Sequence, residues 1–411
     1  METTPAVLRA EDTLFIVGVI LLSGAVSGFV AQKLRVPDIV LFLLVGIVLG
    51  PAVTGIINVP ATSALNEMIL IFGASYILFD GGATLHLKVL REIWVTLVII
   101  ATIGVLITAF IMGFVSQWLL GLPFIAALLL GATIASTDPA TLVPVFKQVR
   151  IKHRVSQLVM SESAFNDAMG AIITFTVLAI AVGKGSFSFG ASLADLLLQA
   201  GIGIVAGAIL GYASVFLIAH ERFGFLREYL PIVTLLAVVG AYLSAVDLNA
   251  SGFMAVFVAG IFIGNKETFG FAMEEGESEK MTDFIETTAL IMRMFIFMLL
   301  GSQVDFHLLG QYFWAALAVV AIFMLIARPV TVFLCAGVDR RAKWTLKELL
   351  FISWVRETGV IPGALAGLLV GMKAPHADII AAITFMAILL TIVIQATTTK
   401  WLAGKLDLLI E

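Results

Sequence analysis

The chain has few charges and almost no cysteine, and both shortages narrow its class. Only 13% of its 411 residues are charged and 61% are hydrophobic, whereas soluble domains have about 25% charged and 45 to 50% apolar residues. The single cysteine, Cys335, excludes an intramolecular disulfide. None of the five histidines has the spacing of a His-Glu-x-x-His zinc motif. The composition therefore predicts an all-α polytopic membrane protein.

Thirteen apolar runs are long enough for membrane-spanning helices, which need about 17 to 25 residues. They lie at 14–32, 39–56, 67–84, 94–120, 122–146, 156–182, 191–219, 229–246, 249–264, 283–302, 311–337, 347–372 and 377–402. Alternate assignment of the loops puts 18 lysines and arginines on one side and 3 on the other, and leaves Arg293, Arg328 and Arg356 within spans. Since basic loops face the cytoplasm, we expect an outside N-terminus and a cytoplasmic C-terminus.

The order of the spans divides into six, one and six. The first six begin outside and the last six inside, which predicts two six-helix inverted repeats. Span 5 is interrupted by Thr137-Asp138-Pro139, and span 12 by the segment 357–363, which contains Pro362. Proline removes a backbone donor and glycine tolerates unwound geometry. Broken crossing helices 5 and 12 at matching positions indicate a substrate site at the membrane midplane. About nine residues follow span 13, so no soluble regulatory domain is expected.

Span 6 contains four polar side chains that share one helical stripe. Glu162 and Asn166, and likewise Ser163 and Asp167, are four residues apart. Each charge at this depth costs at least about 2.5 to 3.5 kcal/mol. Oxygens of Ser163 and Asp167, with carbonyls freed near Thr137, would give the oxygen shell that an alkali cation needs. Asp167 can hold either a proton or a cation, so the stripe predicts an ion site.

The buried arginines and the remaining acid each need a partner or water. For Arg356 we predict a pair with Glu162, with Glu357 and Asp138 as alternatives. Arg328, before Pro329, is expected at a kink near the cytoplasmic end with its side chain snorkelling. Asp80, at the end of span 3, either lines the ion path or caps the helix end. Arg293 is a candidate partner for Asp80.

These residues resemble those of the monovalent cation/proton antiporters, in particular the NhaP-type branch that includes the animal sodium/proton exchangers. The resemblance covers essentially the whole membrane domain. It rests on Thr137-Asp138-Pro139, the run 162–167, the acid in Phe79-Asp80-Gly81-Gly82 and Arg356 in a broken span 12. It departs at Glu357, where relatives often have glycine. An Asn-Asp pair in place of the Asp-Asp of electrogenic relatives implies electroneutral one-for-one exchange of sodium and protons.

The resemblance also implies a homodimer in the cell membrane whose core moves in an elevator-like manner. Spans 1–3 and 8–10 would form the dimerisation domain, spans 4–6 and 11–13 the core, and span 7 the linker. The corresponding segments are 14–120 (spans 1–4), 122–182 (core spans 5 and 6 with the ion site), 191–302 (spans 7–10) and 311–402 (core spans 11–13). The implied roles are ion or proton binding for Asp167, Ser163, Thr137, Asp138 and Asp80, cation ligation for Asp167, Ser163 and Thr137, and structural support for Asn166, Glu162, Arg356 and Pro139.

Three other functions compete with this one. A potassium/proton antiporter of the same fold is the nearest, because selectivity depends on cavity size and ligand flexibility. A cation channel is disfavoured because no filter motif is present, while paired broken helices favour alternating access. An intramembrane protease would use two of the aspartates but lacks a Gly-x-Gly-Asp motif. We therefore expect a transporter rather than an enzyme, with no cofactor beyond the transported ions and no nucleic-acid partner.

Overall fold

Apolar helices joined mostly by short connections form the protein. The computed structural model describes residues 5–34, 36–85, 87, 93–137, 151–183, 189–220 and 224–409. Helices α1 to α6 are Pro5–Leu34, Asp38–Leu49, Ala64–Ala83, Trp94–Leu120, Phe124–Ile134 and His153–Ala181. Helices α7 to α10 are Phe189–Ala219, Leu230–Asp247, Gly252–Gly264 and Glu275–Ser302.

The last three helices are interrupted in different ways. Helix α11, Phe313–Val338, contains the π turn Phe323–Ala327. Helix α12 has two halves, α12a (Leu346–Trp354) and α12b (Val360–Gly371). Helix α13 comprises Ala377–Thr391, the π turn Ile392–Ala396 and Thr397–Lys405.

Within the described residues, nine helices are long and apolar enough to cross a membrane. Four shorter apolar helices, α2, α5, α9 and α12b, have 11 to 13 residues each. Each predicted span contains one of these thirteen helices. The all-helical membrane fold is therefore confirmed, whereas thirteen crossings remain a prediction, because the four short helices fall below the roughly 17 residues that a bilayer requires.

Local sequence signals explain where several helices begin and end. The Ser63 hydroxyl accepts a hydrogen bond from the Asn66 amide at the start of α3, over 3.2 Å, and Ser251 caps α9 in the same way. Each satisfies a backbone donor that the first turn leaves unpaired. Gly121, with a φ of 67°, ends α4 in the left-handed conformation that glycine favours. Gly121 and Ser251 lie in short connections, 121–123 and 248–251, so α4 packs beside α5 and α8 beside α9.

Helices α6 and α12b lie in the interior of the molecule. In the most apolar stretch of α6, 72% of the residues are buried, compared with 22% in α1. Every residue of α12b from Val360 to Leu369 is also buried. The polar stripe of α6 is therefore shielded from lipid by the surrounding helices, as a site for a charged ligand requires.

Candidate ion-binding site

The chain unwinds at both places where the sequence predicts broken helices. Helix α12a ends at Trp354 and α12b begins at Val360, so the break in span 12 is confirmed. Helix α5 ends at Ile134, and the next residues through Thr137 are not helical. Asp138 and Pro139 lie outside the described residues, so their predicted roles remain predictions.

Thr137 is attached to α6 by three hydrogen bonds. Its backbone amide donates to Asn166 Oδ1 over 3.0 Å, and Asn166 Nδ2 donates to Thr137 Oγ1 over 2.8 Å. The Ser163 hydroxyl donates to the Thr137 carbonyl over 2.6 Å. The amide side chain of Asn166 thus matches one donor and one acceptor of Thr137, and it fixes the unwound end of α5 against α6.

These bonds leave oxygen lone pairs for a cation. Ser163 uses its hydroxyl hydrogen to bond Thr137, so both lone pairs of Ser163 Oγ remain. The Thr137 carbonyl accepts one hydrogen bond and keeps a second lone pair. Asp167 lies one turn beyond Ser163 and is only 5% exposed. A carboxylate, a hydroxyl and a carbonyl on adjoining segments fit the hard-oxygen chemistry of an alkali cation.

Gly170 allows the unwound segment to approach α6 closely. A Cβ atom at this position would lie 3.0 Å from Ser136 Cβ and 3.3 Å from Ser136 Oγ. The first distance is shorter than an ordinary van der Waals contact between carbon atoms, which is about 3.5 to 4.0 Å. The glycine one turn after Asn166 therefore sets the separation between the two segments that form the site.

Gly81, the residue after Asp80, lies against α6. A Cβ atom at Gly81 would be 3.5 Å from Ala164 Cβ, and Ala164 directly follows Ser163. Asp80 is within electrostatic range of Arg293. The two do not form an ion pair, however, because the four ion pairs among the described residues involve other side chains. Asp80 thus directly precedes a residue that contacts α6, and it forms no ion pair with an arginine among the described residues.

The predicted pair between Glu162 and Arg356 is wrong. Arg328 Nη1 lies 2.5 Å from Glu162 Oε1, and Arg328 Nη2 lies 2.7 Å from Glu162 Oε2. The predicted snorkelling of Arg328 is also wrong, because this residue is 2% exposed. A bidentate pair satisfies both carboxylate oxygens and neutralises both buried charges. The sequence does contain a signal for this pair, because an arginine in the middle of an apolar run needs a buried carboxylate partner. The neighbouring Pro329 favours the interpretation of a kink instead.

Arg356 instead caps the end of α5. Its Nη2 atom donates to the Ala135 carbonyl, and its guanidinium carbon lies 4.6 Å from the centre of the Phe323 ring. Arg328 has an equivalent contact with the other broken helix, since its Nε and Nη2 atoms donate to the Ile352 carbonyl over 3.3 and 3.2 Å. A cation at a helix C-terminus stabilises the unpaired carbonyls there. Sequence reasoning missed this role, although two broken helices imply two such buried ends.

The sequence matches a family model and named relatives over most of its length. A family model described as "Sodium/hydrogen exchanger, transmembrane" matches residues 17–405. The protein named Na(+)/H(+) antiporter 1 of Methanocaldococcus jannaschii is 34% identical over 418 residues, which cover 95% of this chain and 94% of that protein. The protein named K(+)/H(+) antiporter NhaP of Alkalimonas amylolytica is 28% identical, over 95% of this chain and 67% of that protein.

A solved structure is similar over nearly the whole chain. The sodium proton antiporter MjNhaP1 from Methanocaldococcus jannaschii, determined at pH 8, superposes with a TM-score of 0.83 at 31% sequence identity. The superposition covers 96% of this chain and 99% of that chain. The arrangement of helices described above is therefore the NhaP fold.

Proposed function

The chain belongs to the sodium/hydrogen exchanger family, and we propose that it exchanges one sodium ion for one proton across the membrane. One observation carries the proposal. The buried carboxylate of Asp167 lies on α6 beside Ser163 and Asn166, both of which hydrogen-bond the unwound end of α5 at Thr137. This geometry supports a site where a cation and a proton compete for the same carboxylate.

The proposed cycle has two loaded states. In one, sodium binds Asp167 with oxygens of Ser163 and Thr137. In the other, a proton neutralises Asp167 and the cation is released. Glu162 forms an ion pair with Arg328, so this pair contributes no net charge to either state. The core helices α4–α6 and α11–α13 carry the site between the two sides by moving against α1–α3 and α8–α10.

The assembly and orientation are parts of the same proposal. The protein would be a homodimer in the cell membrane, with its N-terminus outside and its C-terminus in the cytoplasm. The 18-to-3 division of basic residues between alternate loops supports this orientation. The transported ions would be the only ligands the exchange needs, with no cofactor.

Potassium is the second candidate for the transported cation. The relative from Alkalimonas amylolytica is named a K(+)/H(+) antiporter and aligns with 95% of this chain. The site residues fit both ions, because hydroxyl, carbonyl and carboxylate oxygens bind sodium and potassium alike and selectivity depends on cavity size.

The test is transport in liposomes with an imposed pH gradient. We expect wild-type protein to dissipate the gradient when sodium is added, and lithium and potassium added separately define its selectivity. Asp167→Asn should abolish exchange, because the amide can neither release a proton nor neutralise the cation. Asp247→Asn, at an exposed aspartate that ends α8, is the matched control and should transport normally.

Two results would contradict the proposal. Sodium-dependent proton flux in Asp167→Asn above the level of empty vesicles would remove Asp167 as the carrier. If the wild type responds to potassium but not to sodium, the assignment of the site stands, and potassium replaces sodium as the transported cation.

A further inference from the structure

The connection between α11 and α12a concentrates positive charge at one end of the molecule. Residues 339–347 include Arg340, Arg341, Lys343 and Lys347 and one acid, Asp339, whereas the whole chain has a net charge of −4. All four basic side chains are exposed. We refer to residues 339–345, which join α11 to α12a, as the basic loop.

Asp339 fixes the beginning of the basic loop to α4. Its Oδ2 atom accepts hydrogen bonds from the Thr96 amide over 3.1 Å and from the Thr96 hydroxyl over 2.6 Å. Its Oδ1 atom accepts from the Arg341 and Ala342 amides over 3.1 and 3.2 Å. Burial raises the pKa of Asp339, but these hydrogen bonds outweigh burial and hold the pKa below its usual range. Asp339 is therefore ionised at neutral pH, and four hydrogen bonds occupy its two carboxylate oxygens.

Arg154 and Trp344 fix the rest of the basic loop. Arg154, on α6, donates to the carbonyls of Ala342 and Lys343 over 3.1 and 3.4 Å, and its Nη2 atom lies 2.5 Å from Glu348 on α12a. The Arg154 guanidinium carbon also lies 4.5 Å from the centre of the Trp344 ring. The conformation of the basic loop is thus set by contacts with α4, α6 and α12a.

These contacts leave three cationic side chains available. The anchors use backbone atoms of the basic loop and the side chains of Asp339 and Trp344. Across the part of the chain that the structure describes, the side chains of Arg340, Arg341 and Lys343 take part in none of the four ion pairs. Lys347, by contrast, pairs with Asp407. Three cationic side chains without ion-pair partners therefore extend from a backbone that is fixed at several points.

Exposed apolar side chains flank the basic loop on both helices. Leu334 and Val338, at the end of α11, are 58% and 65% exposed, and Leu346 and Leu350, in α12a, are 63% and 43% exposed. In a membrane protein such side chains face acyl chains, and basic residues that directly follow them lie at the level of the lipid headgroups. This placement favours the headgroup of a membrane lipid as the anion that the three cations would meet.

We propose that the basic loop binds the headgroup of an anionic phospholipid through Arg340, Arg341 and Lys343. A basic residue near an anionic surface contributes about fivefold in affinity, and a fixed loop loses little further freedom on binding. The contacts with α4, α6 and α12a mean that the lipid is held by those helices together. The acidic run at the start of α10, Glu274–Glu279, would repel the same headgroup.

The test compares lipid binding by the wild type and two triple variants. Purified protein in a neutral detergent is titrated with phosphatidylglycerol or phosphatidylcholine, and bound lipids are counted by native mass spectrometry. The wild type should bind phosphatidylglycerol in preference. Arg340→Gln/Arg341→Gln/Lys343→Gln should bind it at least tenfold more weakly. Lys33→Gln/Lys280→Gln/Lys373→Gln removes the same charge from three separate exposed sites and should stay within threefold of the wild type.

The results distinguish a lipid site from an effect of net charge and from a free-anion site. Equal losses in the two triple variants would reduce the effect to net charge and overturn the site. Displacement of the lipid by millimolar inorganic phosphate would identify a free-anion site and contradict the lipid. The loop variant should unfold at the wild-type temperature in detergent without lipid, because its three side chains make none of the anchoring contacts. Single variants at Arg340, Arg341 and Lys343 that each retain full binding would also contradict the assignment.

Discussion

At the residue scale, the pairing of the buried arginines could not be predicted from the sequence. Arg328 and Arg356 both lie within predicted spans, and both needed a carboxylate or carbonyl partner. Hydropathy gives the depth of a residue along a span but not which neighbouring helix it faces. The prediction that Glu162 pairs with an arginine is confirmed, but the partner is Arg328 and not Arg356.

The Glu162–Arg328 pair predicts a strong coupling in unfolding experiments. Removing one partner leaves a buried unpaired charge and should cost about 3 to 5 kcal/mol, whereas removing both leaves none. Glu162→Gln/Arg328→Gln should therefore be far more stable than the sum of the single effects predicts. Thermal unfolding in detergent measures the coupling. Glu162→Gln/Arg356→Gln is the control and should be closer to additive, so equal coupling in both pairs would contradict the assignment.

Gln395 is a buried side chain whose amide is unused. It is 1% exposed, and neither Nε2 nor Oε1 has a hydrogen-bond partner. Two contacts place it opposite the break in α12, because Thr358 N donates to Thr391 Oγ1 over 3.0 Å and Trp354 Nε1 donates to Thr398 Oγ1 over 2.8 Å. The extended segment between Trp354 and Thr358 thus runs along the turn of α13 that contains Gln395.

Gln395→Leu should stabilise the protein. An unsatisfied buried polar group costs about 1 to 3 kcal/mol, and an apolar side chain of similar size removes that cost. The matched control is Gln303→Leu, because Gln303 donates to Asn66 Oδ1 over 2.9 Å and to the Val59 carbonyl over 3.2 Å. The melting temperature in detergent should rise for the first variant and fall for the second. A fall for both would show that the Gln395 amide is satisfied.

At the element scale, the breaks in the helices were more predictable than the turns that surround them. Proline and glycine identify α12 as a broken helix, because they remove a donor or permit unwound backbone. The π turns Ile100–Gly104, Phe323–Ala327 and Ile392–Ala396 have no such residue signal in common, and each lies in a helix assigned to the core, α4, α11 or α13. A π turn depends on how a helix packs against its neighbours. The sequence of one helix carries no information about that packing.

The contact between α6 and the unwound end of α5 predicts the effect of Gly170→Ala. The added methyl group would lie 3.0 Å from Ser136 Cβ, and overpacking of this kind costs about 1 to 3 kcal/mol. The displaced segment carries Thr137, so the sodium concentration for half-maximal exchange should also rise severalfold. Gly201→Ala is the control, because its added methyl group would have no atom within 4 Å apart from the neighbouring residues and backbone of its own helix. That variant should gain about 0.5 to 1 kcal/mol from helix propensity and transport normally. Unchanged sodium dependence in Gly170→Ala would show that the position of the unwound end of α5 does not determine the affinity for sodium.

At the scale of the whole molecule, the bilayer made the fold predictable. Each apolar run had to become a helix, because no other open structure satisfies its backbone in lipid. The same constraint identified the polar stripe on α6 as the site candidate, since Glu162, Ser163, Asn166 and Asp167 would be too costly there without a function. The separation of core and dimerisation helices depends on motion and assembly, and it remains a prediction from the family resemblance.

The stoichiometry follows from which charges on α6 can change. Arg328 balances Glu162, and Asn166 is neutral, so in the proposed cycle Asp167 is the one group of the stripe that would alternate between a cation and a proton. Both loaded states then carry the same charge, and exchange should not respond to membrane potential.

A cycle that moved one net charge would gain about 2.3 kcal/mol per 100 mV, or roughly fiftyfold in the ion ratio at equilibrium. Sodium-driven proton flux is measured in liposomes with and without a potassium/valinomycin potential of about that size, after subtraction of the flux in Asp167→Asn vesicles. A rate that changes with the sign of the potential would require a second titrating group in the transport cycle, and the half-buried Asp80 and the buried Glu357 would be the first acids to substitute.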